Sequence, residues 1–234
     1  MKSSSRPSTQ QKKPIHLEPV IRYEDESLIV IDKPAGLLSQ GDHSGAPDLV
    51  SWLRQKWGRN YVGLVHRLDR NTSGLMVVGA RTHSARALTE MLQSGKLIRK
   101  YTAWIRGRIS GASDWEDVLL KDERTNEVRI VPPGTPGGKI SKLTISPVKT
   151  GVFWRGIDLT LAEFELDTGR SHQIRVQAGS RGHALLGDTK YGKGEVTRFP
   201  RMALHSHYLG FPHPDSGELM EFRSELPQDL RLEG

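Results

Sequence analysis

Residues 66–75 read His-Arg-Leu-Asp-Arg-Asn-Thr-Ser-Gly-Leu and place one carboxylate, Asp69, between two guanidinium groups, Arg67 and Arg70. Neighbouring positive charge favours the ionised form of a carboxyl. An ionised, positioned Asp is a candidate nucleophile or base, and equally a partner in an ordinary ion pair at a strand end. Three other groupings invite chemistry. Residues 187–193 have the spacing of a phosphate-cradling P-loop as far as Lys193. Gly194 then stands where a hydroxyl should bind magnesium, and no buried strand and helix flank the loop, so a turn is the better reading. His205 and His207, with His213 nearby, have a spacing that can hold zinc, but no acid stands at a matching position and hydrogen-bonded structural histidines fit better. Ser73 and Ser171 have His66 and His172 as possible bases, yet neither serine lies in a G-x-S-x-G elbow. Asp69 is left as the strongest candidate.

The elements around that loop follow from apolar periodicity. Residues 28–31, Leu-Ile-Val-Ile, read as a buried strand closed by the Pro/Gly turn Asp32-Lys33-Pro34-Ala35-Gly36. Pro47 and Asp48 open a helix to Trp57, with Leu49, Val50, Leu53 and Trp57 on one face and Gly58 stopping it. Strands over 61–65 and 75–78 hold the 66–75 motif as a loop between them. A helix over 82–94, ended by Gly95, precedes an alternating strand over 100–105. Residues 111–140, rich in Gly, Pro and charge, suggest exposed hairpins. Between 156 and 167 the apolar parity slips from Ile157, Leu159 and Leu161 to Phe164 and Leu166, which suggests a bulge or bend in a long strand. Ser171 caps a short helix through Ala178 that buries Ile174 and Ala178. Residues 202–211 and 219–223 form a last hairpin around Asp215-Ser216-Gly217.

Composition sets the bounds. The 234 residues carry a net charge of +7, and a basic chain points toward a polyanionic partner such as nucleic acid. Residues 1–14 hold Lys2, Arg6, Lys12 and Lys13 with no acid, so more than half of the excess lies in a polar stretch expected to be a disordered basic tail. Residues 15–234 show no repeat and no linker and read as one domain. Without cysteine there is no disulfide framework and no thiolate metal site. Neither a signal peptide nor an apolar run of about 20 residues is seen, so no membrane partner is expected and the cytoplasm is the expected compartment.

Several separated stretches share one pattern. Glu24-Asp25 with residues 28–36, His66-Arg67-Leu68-Asp69 with Thr72-Ser73-Gly74, Lys100-Tyr101, and Thr168-Gly169-Arg170-Ser171-His172-Gln173-Ile174-Arg175 resemble, in order and spacing, the RluA family of RNA pseudouridine synthases. Leu186-Gly187-Asp188 with Tyr191-Gly192, and Leu204-His205 with His213-Pro214, look like the same family. The likeness runs from about 23 to 226.

The resemblance implies a mixed α/β (α+β) fold: a large, mostly antiparallel, bent β-sheet flanked by helices, with a central active-site cleft. It implies an isomerase that turns uridine into pseudouridine within a stem-loop of ribosomal or transfer RNA, as a monomer, without metal or organic cofactor. Asp69 matches the catalytic aspartate, as nucleophile or as base. Arg175 matches the arginine that pairs with it, and Tyr101 the tyrosine that packs against the target base. Arg67 matches the residue that fills the vacated base stack. His66, Arg70, Arg170 and Lys100 are expected at the RNA, and Ile174, Leu204 and Gly74 in the pocket walls. Asn71, Gln40-Gly41 and Gln177 depart from the commonest family pattern without removing a catalytic group. With only about 20 residues before the first motif, no separate N-terminal RNA-binding domain of the kind many relatives carry is expected. A competing reading is a non-catalytic RNA-binding or ribosome-assembly protein on the same scaffold; a further one is a metal-dependent hydrolase built on His205 and His207.

Overall fold

Strand β2 (Leu28–Lys33) and strand β4 (Ser73–Gly79) pair antiparallel and are buried on both faces. Leu28, Val30, Leu75 and Val77 point to one side, and Ile29, Ile31, Met76 and Val78 to the other. Such continuous apolar runs belong in the middle of a covered sheet. The computed structural model describes residues 17–58 and 60–232 and builds around this pair a sheet of eleven strands. The basic stretch 1–14 lies outside the described residues.

The remaining strands are β1 (Val20–Glu24), β3 (Gly63–Leu64), β5 (Ile98–Arg106), β6 (Ser113–Asp122), β7 (Glu127–Val131), β8 (Lys139–Trp154), β9 (Ile157–Leu166), β10 (Leu204–Pro212) and β11 (Leu219–Arg223). Their order is β1-β2-β4-β10-β5-β9-β8-β6-β7, with β3 on β4 and β11 on β10. All pairings are antiparallel except β4 with β10, where Ser73 and Gly74 face His205 and Ser206. Gly74 makes that pairing possible. Its φ is +111°, and a Cβ there would lie 2.2 Å from the Ser206 carbonyl oxygen.

Helix α1 (Leu49–Trp57) forms as its caps dictate: Asp48 accepts the Ser51 N–H at 3.0 Å, and Gly58 ends it at φ +62°. Helix α2 (Thr82–Gln93) buries Leu88 against Leu28, Val30 and Leu75. Helix α3 (Gln173–Ser180) starts later than expected, and Ser171 does not cap it. Its entry is held by Gln173, whose Oε1 accepts from the Arg170 N–H at 3.0 Å and the Thr168 hydroxyl at 2.8 Å. Gln173 Nε2 donates to the Lys142 carbonyl on β8 at 2.9 Å. Ile174 and Ala178 are buried as expected.

Two further expectations are corrected. Residues 111–140 do form a hairpin, β6 with β7, but Trp115 on β6 packs into the main core beside Phe164, and sixteen-residue β8 follows it. The parity slip in β9 is a change of covered face. Leu159 and Leu161 pack with Trp104, Leu186 and Phe199 behind the sheet, whereas Ala162, Phe164 and Leu166 pack with α3 in front. The register irregularities fall on β8, which advances one residue further than β9 between Pro147 and Lys149 and again between Lys149 and Val152.

Candidate active site

The 66–72 loop leaves β3 and enters β4, and three contacts fix it from below. The buried Ser39 hydroxyl donates to the Leu68 carbonyl at 2.7 Å and accepts the Leu68 N–H at 3.0 Å. The Gly36 N–H donates to the Arg70 carbonyl at 2.7 Å, and Arg70 Nε returns a bond to the Gly36 carbonyl at 3.1 Å. Lys33, fully buried, donates to the carbonyls of Pro34 and Leu37 at 3.0 and 2.8 Å, and more weakly to that of Arg70 at 3.4 Å. Burial pushes the Lys33 amine down to about 7, against the opposing pull of Asp69. The Asp-Lys-Pro-Ala-Gly turn is thus a clamp on the loop. The type of Lys33 hinted at none of this, because only the fold turns its amine inward.

Asp69 meets its partner across the cleft. Arg175 Nη1 donates to Asp69 Oδ2 at 2.9 Å, while its Nε and Nη2 bind Asp188 Oδ2 and Oδ1 at 2.7 and 3.0 Å. Among the described residues neither arginine flanking Asp69 in sequence bonds to it; Arg70 turns to the Gly36 carbonyl instead. Asp188 has no exposed side-chain surface, and its Oδ1 also accepts the N–H groups of Lys190 and Tyr191. Burial opposes the charge on Asp188, but the Arg175 bonds and these N–H donors outweigh it and hold its carboxyl below the usual range. Burial likewise opposes the Arg175 charge, and Asp188 and Asp69 more than offset it, raising that group further. Arg175 is therefore a fixed cation aimed at Asp69 from a rigid anchor.

Tyr191 ties the same corner together. Its hydroxyl accepts the Val128 N–H at 2.9 Å and lies 2.8 Å from His172 Nδ1, and its ring lies under the Arg175 guanidinium at 5.1 Å. The hydroxyl and Nδ1 share one hydrogen bond, which fixes the orientation of the imidazole ring. His172 Nε2 stands 3.9 Å from Asp69 Oδ2. Burial lowers the His172 pKa, with Asp69 pulling the other way. His172 holds a left-handed backbone, φ +52°, a conformation that costs a non-glycine residue about 1–3 kcal/mol and concentrates at functional sites. Asp188 and Tyr191 belong to a stretch that reads as a turn, so their part in the site is invisible until the chain folds.

The cleft lined by Asp69, His172 and Arg175 has a volume of about 1030 Å³. Tyr101, Ile174 and Leu204 form its buried wall, and Arg67, Arg70 and Arg170 are exposed at its rim. Burial raises the Tyr101 pKa, so its ring is a neutral face. His66 also lines the cleft; it is buried and accepts the Val77 N–H on Nε2 at 3.2 Å, so it supports the loop from within as well. Two expected positions differ. Lys100 lies outside the cleft lining, paired with Glu165 at 2.8 Å and Glu163 at 3.5 Å, because its side chain points away from Tyr101 on an alternating strand. Gly74 is no pocket wall but the close approach of β4 to β10.

The histidines read as possible metal ligands have other partners. His205 Nδ1 lies 2.9 Å from Ser73 Oγ and its Nε2 lies 3.2 Å from Ser224 Oγ, whereas His207 Nε2 is 3.0 Å from Glu163. Ser73 and His205 are both buried and outside the cleft lining. Burial pushes the His205 pKa down to about 4; burial, with Arg99 nearby, pushes that of His66 to about 3. Both protonate near pH 6.5 in an unfolded chain, so the unfolded state binds more protons as the pH falls. Stability is expected to be full above about pH 6.5 and to decline below it by up to about 1.4 kcal/mol per pH unit for each histidine. Urea midpoints at pH 7 and pH 5 measure this, and equal midpoints would contradict it.

Comparison with known proteins assigns the family. Residues 27–180 match the RNA pseudouridylate synthase family. The uncharacterised RNA pseudouridine synthase YlyB of Bacillus subtilis is 36% identical over 219 residues, covering 90% of this chain and 70% of that one. Ribosomal large subunit pseudouridine synthase D of Zymomonas mobilis is 34% identical over 249 residues, covering 97% and 74%. The solved structure of human RNA Pseudouridylate Synthase Domain Containing 1 shares the fold, with a TM-score of 0.74 at 23% identity over 92% of this chain and 86% of that one. With a matched family segment that reaches from β2 to α3 and carries both Asp69 and Arg175, the chain belongs to the RluA-type RNA pseudouridine synthases, a family of isomerases.

Proposed function

We propose that the protein isomerises one or more uridines of ribosomal or transfer RNA to pseudouridine, as a monomer, with Asp69 as the reacting carboxylate and no metal or organic cofactor. The observation that carries this reading is the division of labour on Asp69. Oδ2 is held by Arg175, and Oδ1 has no hydrogen bond among the described residues. A free lone pair on an oriented carboxylate serves either route open to the reaction, attack on the sugar or removal of a sugar proton. In both, the bond from C1′ to N1 breaks, the uracil turns in place, and a bond from C1′ to C5 forms. The C5 proton leaves and N1 gains one, so the atoms balance without water. A hydrolytic glycosidase generally needs a second carboxylate to activate water; here the opposite groups are a cation, an imidazole and a phenol.

The target base must leave its stack, at a cost of a few kcal/mol. Tyr101 offers the extruded uracil a rigid aromatic face. Arg67, exposed at the rim, has the planar head group to occupy the emptied position. The names of the relatives, ribosomal large subunit pseudouridine synthases C and D, favour ribosomal RNA. Pseudouridine maps of ribosomal and transfer RNA from cells with and without the gene test the reading. Specific sites are expected to vanish in the deletion and to return when purified protein is added to the deletion RNA. Identical maps, with no product in vitro, would overturn it.

A further inference from the structure

We propose that Arg99 is a built seat for a backbone phosphate of the RNA, at the inner wall of the cleft. The inference rests on the reading of the cleft as an RNA site. Arg99 lies on β5 two residues before Tyr101, so both side chains leave the same face of the strand, their Cα atoms about 7 Å apart. It is only 4% exposed and still lines the cleft. Among the described residues its side chain makes no hydrogen bond and no ion pair, and its Nε is a buried donor without an acceptor. A guanidinium in that position is costly unless something anionic completes it. Nearby acids do not: Glu163 and Glu165 pair with the neighbouring Lys100 on the other face.

The surroundings are shaped to keep the charge in place and uncompensated. The guanidinium lies directly over Gly169, where a Cβ would come within 2.5 Å of Nη1. His66 is in the same cleft lining with its Nε2 engaged by the Val77 N–H, which leaves Nδ1–H a second buried donor without an acceptor. The unpaired Arg99 fork and the orphaned His66 Nδ1–H on one wall lack a single thing, an acceptor with negative charge. The anion that RNA brings is its phosphodiester, and a planar guanidinium is matched to it. A base stacked on Tyr101 would carry a neighbouring phosphate toward this wall.

Binding of a short oligouridylate, measured by fluorescence anisotropy over a range of salt concentrations, tests the assignment together with thermal unfolding of the free protein. Arg99→Met is expected to weaken binding by about ten- to a hundredfold and to flatten the log-log salt dependence by about 0.7. Its unfolding temperature should match or exceed that of the parent, since the change removes an unpaired buried charge. Arg99→Lys should keep the salt dependence and lose part of the affinity. Unchanged affinity and slope in Arg99→Met would overturn the proposal, and so would lost affinity with an unchanged slope, which would mean a contact to a base. A fall of more than about 10 °C in both Arg99→Met and Arg99→Gln would also overturn it, marking Arg99 as a structural cation. Failure of the proposed activity reads differently: wild-type protein would make no pseudouridine in any RNA, whatever Arg99 does to oligouridylate binding.

Discussion

Asp69→Asn is expected to lower pseudouridine formation by roughly 10⁴-fold or more, the scale seen when a reacting side chain is removed from a catalytic group that acts as a unit. The substitution keeps the shape of the side chain and takes away the lone-pair charge on Oδ1, the oxygen that nothing else holds. The fold should barely notice. A third of the Asp69 side chain is exposed, and Arg175 retains both bonds to Asp188, so the cost belongs in the range of a partly solvated pair, about 1 kcal/mol or less. Nucleoside analysis of RNA incubated with the variant, beside its thermal unfolding curve, separates the two. Normal product would remove Asp69 from the chemistry and with it the proposed mechanism.

Asp188→Asn reverses that balance, with the largest stability loss expected of any single change in the site. Asp188 is buried, and its two oxygens hold Arg175 in a fork while also accepting two backbone N–H groups. Asparagine offers one oxygen, no charge, and an amide N–H facing the guanidinium. Breaking one side of a buried pair costs about 3–5 kcal/mol, and the buried guanidinium keeps only the part-exposed Asp69 as a counter-charge. Activity should fall too, since Arg175 loses the anchor that aims it at Asp69. In the parent protein the native carboxyl is held below its unfolded value, so its contribution is complete above the unfolded pKa near 3.9 and is lost as the pH falls through the lower folded value. Urea denaturation of parent and variant at pH 7 should show the full difference. A variant of parental stability would mean that Arg175 is held by something other than this fork.

How far the sequence speaks depends on whether the deciding interaction is local. Asp48 and Gly58 delimit α1 because a cap acts within one turn, and β2 and β4 are readable as runs of apolar residues. Strand β8 is not, since Pro147, a run of polar residues and two register slips erase the alternation that marks a strand. Helix α3 begins at Gln173 instead of under a Ser171 cap because the competing bonds come from Thr168 and β8, the latter thirty residues away. At the site, Asp69 and Arg175 are visible as a family pattern. Lys33, Asp188 and Tyr191 fall within the same pattern, but their roles as clamp, anchor and hydroxyl partner are not legible there, because a turn residue looks the same whether its side chain meets water or a buried guanidinium. Arg99 has an equally ordinary setting in sequence: only burial without a partner sets it apart from Lys100 beside it.

The place of β10 has a consequence for how the molecule comes into being. It is the last strand but one along the chain, yet it lies between β4 and β5 at the middle of the sheet. Until residues 204–212 have been synthesised, the β1-β2-β4 portion and the β5-β9-β8 portion have no strand pairing to join them, and Leu204 is missing from the wall beside Tyr101. Asp69 belongs to the first portion, and Arg175 follows the second. Pairings so distant along the chain close late in folding. A chain cut short before residue 204 is therefore expected to carry Asp69 and Arg175 on two portions of sheet that share no strand.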